Sequence, residues 1–461
     1  MTPLGPKILA ARAVGGLARR AGRGGGTSLP GKLLVRLDPE AISSLAGRLP
    51  DGCAVISATN GKTTTAAMSA SVLKQAGVRL VHNRAGANMA GGVASALLQA
   101  ARAGGGIDGR LGLFELDEFW LDRVALELKP RALLLSNLFR DQLDRYGELD
   151  AIADAWADVV VRLASDTDLV LNADDPLVAD LGRERSRVSY FGVEDAAMAM
   201  PEMQHAADSK HCRRCGAAYV YDAIYFGHLG RYRCPNCGRD RPDPDVAAER
   251  IELDGTRAAR FQLRTAAGCA DVSLPLPGLY NVYNALGAAA LCLKLGLELD
   301  DIAAGLGAVR AAFGRAETVT VGDAELSILL IKNPAGANEI LRTLALEGTE
   351  LDVLGILNDR TADGRDVSWI WDADFEIMAR SLRHVTCAGT RAAELAVRLK
   401  YAGVDPAKVQ VLPSVPEALD AALAAAVDKR LYALPTYTAL LDLRSELARR
   451  GYVGEFWEGA R

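Results

Sequence analysis

Two clusters in this chain have the residue types and spacing that chemistry needs. The first is Ser57-Ala-Thr-Asn-Gly-Lys-Thr-Thr-Thr65. It follows a short apolar run and opens a helical pattern, the context of a phosphate-binding loop. Successive backbone N–H groups at a helix start present partial positive charge to an anion. Gly61 allows close backbone approach. Lys62 adds a full charge for β- and γ-phosphates, and the Thr63 hydroxyl suits Mg²⁺. The pattern G-x-x-x-x-G-K-[ST] is not met, because Ile56 stands at its first glycine. The loop is expected to be exposed, with Lys62 bonding a ligand rather than the core.

The second cluster is Cys212-x-x-Cys215 and Cys234-x-x-Cys237, with eighteen residues between the pairs. That spacing is a metal pattern. Each pair is followed by a glycine, Gly216 or Gly238, as in zinc knuckles. Four thiolates close a tetrahedral Zn²⁺ shell with no open position, so the ion is structural. His205, His211 and His228 lie near but are not needed as ligands. Six arginines (Arg213, Arg214, Arg231, Arg233, Arg239 and Arg241) would also suit a zinc ribbon that binds nucleic acid. The net charge of −5 argues against that, since such binders carry a basic surplus. Cys53, Cys269, Cys292 and Cys387 sit in apolar stretches and read as small buried hydrophobes.

The elements that position these clusters alternate. Cys53–Ser57, 112–115, 132–136 and Asp168–Asn172 are short apolar runs that end in polar residues, separated by helical spacing such as 63–75. They indicate a parallel sheet covered on both faces. Ligands bind beyond the carboxyl ends of such strands. The stretch 205–244 has no sustained helical period and reads as an inserted module. Strand-like 260–264 and a helix over 280–295 resume the pattern, and a boundary falls near Phe313-Gly-Arg315. Strands at 325–331, 351–357, 384–387 and 430–434 follow. The division is therefore residues 1–50 as an N-terminal region with an amphipathic helix over 6–20, 51–312 as the nucleotide domain, and 313–461 as a smaller α/β domain. No run of about 18 uncharged apolar residues suggests a membrane span, and no signal peptide is evident.

The motifs resemble the Mur ligase family along most of the chain. The phosphate loop matches T-G-T-N-G-K-T, with Ala58 at the usual glycine. Phe114-Glu-Leu-Asp-Glu118 resembles the strand-end motif whose first acid, here Glu115, holds Mg²⁺; Asp117 or Glu118 could assist. The stretch 137–147 is similar to the next motif. Asn172-Ala-Asp-Asp-Pro176 lies in a family turn that contacts nucleotide or caps a helix. Asn281 and Asn284, one helical turn apart, match G-x-x-N-x-x-N-A-L, which puts Asn284 near adenine. Phe313-Gly-Arg-Ala-Glu317 resembles the hinge motif, which puts Arg315 at the nucleotide. By this resemblance ATP lies on Thr59, Asn60, Gly61, Lys62, Thr63 and Thr64. Many family members carry a carbamylated lysine that bridges two Mg²⁺ ions, but this chain has no lysine between Lys129 and Lys210.

The cysteine module, 331–339, and 358–372 with its Asp-Gly-Arg-Asp-Val-Ser-Trp-Ile-Trp-Asp string are similar to MurT-type members. The resemblance implies ATP-dependent amidation of the α-carboxyl of D-glutamate in the lipid-linked peptidoglycan stem, through an acyl phosphate. The ammonia would come from a GatD-type glutaminase subunit. An aspartate of the last domain would complete that partner's Cys–His pair: Asp363 or Asp366, with Asp372 close by. The chain is then cytoplasmic, reaching the inner face of the membrane through its substrate. A stand-alone Mur-like or folylpolyglutamate-like ligase is the alternative, and would need a pocket for a second carboxylate. A zinc-ribbon nucleic-acid binder is the reading from another class.

Overall fold

The protein is described by a computed structural model covering residues 4–20, 28–83, 87–102, 106–141, 149–204, 207–309, 315–348 and 350–454. The apolar runs become strands. The first part of the chain holds β1 (Cys53–Ser57), β2 (Leu80–His82), β3 (Leu111–Glu115), β4 (Ala132–Leu135), β5 (Asp168–Asn172), β6 (Val188–Val193), β7 (Val220–Phe226), β8 (Leu229–Arg233), β9 (Val246–Asp254), β10 (Ala258–Thr265) and β11 (Gly268–Leu274). Nine of them form one sheet in the order β11-β10-β9-β6-β5-β4-β1-β3-β2. Every pair from β9 to β2 is parallel, and β10 runs antiparallel to both β9 and β11. β1, β3, β4 and β5 are buried at every residue. That is why they read as continuous apolar runs rather than as alternating ones.

Helices cover both faces. Lys62–Gln75, Leu279–Lys294 and Leu299–Gly307 pack one face, through residues such as Met68, Val72, Leu286 and Ile302. On the other, Ala90–Ala100, Leu121–Leu128 and Leu149–Arg162 pack around the fully buried Trp156. Leu4–Arg20, Leu29–Leu37 and Ala41–Ala46 join this second face: Ile8, Leu34, Ile42 and Leu45 share a core with Val55 and Leu133. The amphipathic helix expected over 6–20 is thus present, and residues of the 1–50 region contribute to the sheet's core. Truncating Trp156 to alanine would cost about 3–5 kcal/mol.

The second sheet contains β12 (Arg315–Val321), β13 (Ala324–Leu329), β14 (Leu351–Ile356), β15 (Leu382–Ala388), β16 (Val409–Val411) and β17 (Arg430–Pro435). Their order is β12-β13-β17-β14-β15-β16, parallel except for β12 against β13. The inserted module lies between β6 and β9 and holds the antiparallel hairpin β7–β8. Among the described residues no helix is long and apolar enough to cross a membrane.

One cysteine departs from expectation. Cys53, Cys292 and Cys387 are buried, but Cys269 is exposed. It lies on β11, the edge strand of the sheet, where alternate side chains face solvent.

Candidate active site

The phosphate loop starts where β1 ends, and its shape is fixed from several sides. Gly61 has φ +84°, a conformation that favours glycine. A Cβ there would lie 2.0 Å from Asn284 Oδ1, so any other residue would both strain the backbone and displace the Asn284 side chain. Thr59 N donates to the Asn137 carbonyl and Asn60 N to Asn137 Oδ1, both at 2.9 Å. Phe139 N donates to Thr59 Oγ1 at 3.1 Å. Asn137 follows β4, so the strand beside β1 staples the loop.

Lys62 is buried rather than exposed: only 7% of its surface is accessible. Elements remote in sequence close over the loop, and a local reading cannot see them. The Lys62 ammonium donates to Glu118 Oε2 at 2.6 Å and reaches the Ala58 carbonyl. Burial pulls its pKa down, but Glu118, Asp117 and Glu115 outweigh that and hold it above the usual lysine value. Asp117 is pushed up by burial and by the charge of Glu118.

Thr63 Oγ1 donates to Glu115 Oε1 at 2.9 Å, with Glu115 itself buried. Asn83 fixes that strand end, accepting from Glu115 N at 2.9 Å and donating to its carbonyl at 2.8 Å. A hydroxyl and a carboxylate in contact beside a phosphate loop are the hard oxygen donors that a Mg²⁺ ion takes.

Asn284 and Asn281 do meet beside the loop. Asn284 Nδ2 donates to Asn281 Oδ1 at 3.1 Å, and Thr65 Oγ1 donates to Asn284 Oδ1 at 3.2 Å. Thr64, Asn281 and Asn284 line a cavity next to Gly61. Asp175 caps the helix Pro176–Asp180, accepting from Leu177 N and Val178 N. Residues 142–147 of the 137–147 motif, Phe313-Gly314 of the hinge and His205 lie outside the described residues. Arg315 begins β12, and its side chain is likewise outside the description.

Two residues of the 331–339 motif have a role that the sequence did not assign. Lys332 Nζ donates to the Thr59 carbonyl at 3.1 Å and pairs with Asp141. Asn333 Nδ2 donates to Asn60 Oδ1 at 2.9 Å, while its own Oδ1 caps the helix Pro334–Ala345 through Gly336 N. The second sheet's domain therefore places a further cation on the phosphate loop. The Lys-Asn-Pro string was visible in sequence, but its contact with a loop 273 positions away was not.

The four cysteine sulfurs lie within 4.8 Å of one another. The Cys212–Cys237 and Cys215–Cys234 pairs are 3.5 and 3.4 Å apart, all as free thiols. Four sulfurs each about 2.3 Å from one ion would stand at comparable separations, so the set fits tetrahedral zinc. Gly216 and Gly238 take φ of +72° and +65°. The Arg214 and Cys215 N–H groups point at the Cys212 sulfur, and the Ala217 N–H at Cys215. His228 is fully buried against Phe139 and is outside this set.

The module is anchored to the first sheet through Arg241. Its guanidinium lies against Asp174 and Glu194 and donates to the Val193 carbonyl at 3.0 Å. Asp174 also accepts from Tyr283 OH at 2.6 Å and from Val193 N at 2.9 Å. At the hairpin tip, Phe226 and Leu229 line the cavity beside Gly61.

The candidate aspartates of the last domain are differently placed. Asp363 is buried, and its oxygens accept from Thr438 N at 2.7 Å and from Thr438 Oγ1. Asp366 is exposed and accepts from Ser368 N at 2.8 Å, which holds its pKa below the usual carboxylate range. Asp372 faces Arg140 at 3.6 Å.

Two family models match the chain: the Mur ligase middle domain over residues 56–237 and the MurT ligase C-terminal domain over 330–440. The chain is 33% identical over 448 residues to the lipid II isoglutaminyl synthase (glutamine-hydrolyzing) subunit MurT of Streptococcus pneumoniae, with 97% of each chain covered. The like-named subunit of Staphylococcus aureus (strain N315) is 34% identical, over 94% of this chain and 96% of its own. In fold the protein is similar to a pseudomurein peptide ligase type C from Methanothermus fervidus, at TM-score 0.66 and 24% identity, covering 87% of this chain and 79% of that one. Fold, phosphate loop and acidic strand end thus define an ATP-dependent ligase of the Mur type. Within that class the chain belongs to the MurT family.

Proposed function

We propose that the chain is the synthetase subunit of a lipid II isoglutaminyl synthase, amidating the α-carboxyl of D-glutamate in the lipid-linked stem peptide. The observation that carries this reading is the likeness to MurT subunits over 94–97% of the chain together with the intact Lys62, Thr63 and Glu115 set. ATP lies with its phosphates on Thr59–Thr64. The substrate carboxylate attacks the γ-phosphorus, giving an acyl phosphate and ADP. Ammonia attacks the acyl carbon, loses a proton, and phosphate leaves with the C–O bond electrons. Lys62, Lys332 and the loop N–H groups offset the charge that develops on the transferred phosphoryl group, where preorganised donors contribute most. Mg²⁺ bound at Thr63 and Glu115 would supply further charge neutralisation, and Zn²⁺ on the four cysteines would hold the ribbon.

Ammonia comes from a separate GatD-type glutaminase at the cytoplasmic face of the membrane. Asp366 is the aspartate we assign to that partner. It is exposed and can meet another chain, whereas Asp363 is engaged inside its own domain. The test supplies the purified chain with ATP, Mg²⁺ and lipid II, with either ammonium or glutamine. Ammonium should yield amidated lipid II and ADP, and glutamine should serve only once the glutaminase is added. Glutamine use by the isolated chain would refute the two-subunit reading, and no product with ammonium would refute the ligase reading.

A further inference from the structure

The cavity beside the phosphate loop contains an acidic group that the mechanism above leaves unused. Its volume is about 100 Å³. Asn60, Gly61 and Thr64 form the loop end, while Phe226 and Leu229 of the ribbon hairpin and Ile340 form apolar walls. Glu339 lies among these walls with 2% of its surface exposed. A carboxylate there is costly unless something engages it, and burial pushes its pKa up against the pull of Arg342.

Among the described residues only one of its oxygens is engaged. Arg342 Nη1 donates to Glu339 Oε1 at 2.8 Å, and the same nitrogen donates to the Tyr225 carbonyl at 2.8 Å. Arg342 thus fixes the carboxylate and leaves Oε2 without a partner among the described residues. The neighbouring asparagines are occupied with each other and with the chain. Asn284 Nδ2 donates to Asn281, Asn281 Nδ2 donates to the Pro277 carbonyl at 2.8 Å, and Asn284 Oδ1 accepts from Thr65. The strongest hydrogen-bond acceptor with spare capacity in this lining is therefore Glu339.

Resting on the ATP reading above, we propose that Glu339 selects the nucleobase: its free oxygen accepts the exocyclic amine of adenine and disfavours the 6-oxo group of hypoxanthine or guanine. An oxo group facing a carboxylate leaves two acceptors opposed in a water-poor cavity, and sites built around one hydrogen bond reject analogues that lack it.

The experiment measures binding of Mg·ATP and Mg·ITP to the full chain by calorimetry. The unaltered chain should bind ATP at least about tenfold more tightly than ITP. Glu339→Gln keeps the shape, but with its amide oxygen held by Arg342 it turns an N–H toward the base, so the preference should collapse to about one or invert. Melting temperatures establish that the variant is folded. Should Glu339→Gln not fold, Glu339→Asp decides, because it withdraws the carboxylate by one methylene and should shrink the preference. Equal binding of ATP and ITP by the unaltered chain would overturn the proposal. So would an unchanged ratio in a folded variant, including one that weakens both nucleotides by the same factor. Binding of neither nucleotide by the unaltered chain would remove the ATP reading and this proposal with it.

Discussion

Replacing Arg241 by alanine tests how the ribbon is joined to the nucleotide domain. In the folded protein Arg241 and Asp174 are both buried, with side chains 5% and 0% exposed. Glu194 keeps Arg231 at 2.7 Å after the change, but Asp174 loses the one cation paired with it among the described residues. Breaking a buried pair by removing one partner costs about 3–5 kcal/mol. Burial already holds the Asp174 carboxyl above the usual carboxylate range against the pull of Arg241, and losing that cation should push it further up. A carboxyl whose folded pKa is raised stabilises the fold below its unfolded pKa, and that contribution disappears as pH rises through the folded value. The loss in the variant should therefore be near its full size at pH 8. At pH 5 protonation of Asp174 should relieve part of its electrostatic cost, so the loss should be smaller. Urea unfolding of both proteins at the two pH values measures this. Adding Asp174→Asn should recover part of the loss at pH 8. A loss below about 1 kcal/mol, or one equal at pH 5 and pH 8, would refute the argument that Asp174 depends on Arg241 for charge compensation.

Lys62→Ala should lower ATP-dependent amidation at least about 100-fold; because it also strips Glu118 of its partner, stability must be measured beside activity, and full turnover in a folded variant would contradict the assigned role. Freshly purified, reduced protein should hold about one Zn²⁺ per chain; metal analysis checks this, and Cys212→Ser should lower both zinc content and melting temperature. In the complex with the glutaminase, Asp366→Asn should abolish glutamine-dependent amidation and spare the ammonium-dependent reaction, because an amide cannot stabilise an imidazolium as a carboxylate does. Equal loss with both nitrogen sources would move Asp366 out of the glutaminase site.

Local signals were legible because their physics is local. The polar residues Ser57, Glu115 and Asn172 ended apolar runs, and those runs became parallel strands of one sheet. The cysteine spacing predicted a four-sulfur cluster, and the glycine after each pair takes positive φ. What stayed hidden depends on long-range packing. Lys332 and Asn333 meet the phosphate loop, and Asp174 meets both Arg241 and Tyr283, across separations no periodicity encodes. Lys62 is likewise buried against Glu118, 56 positions away. Asp363 and Asp366 were equivalent as letters; Thr438, from the start of the last helix, is what distinguishes them.

The ribbon hairpin touches both large units at once. Arg241 ties the module to the first sheet, while the Tyr225 carbonyl receives Arg342 from the second domain and Phe226 lies in the same wall as Ile340. Any swing of the second domain away from the phosphate loop must break the Arg342–Tyr225 hydrogen bond and pull this wall apart. The hairpin thus acts as a travel stop on the joint between the domains. Its setting depends on how stiffly the cysteine cluster holds the strands behind it. Loosening that cluster would widen the range of the joint while leaving every residue of the phosphate loop in place.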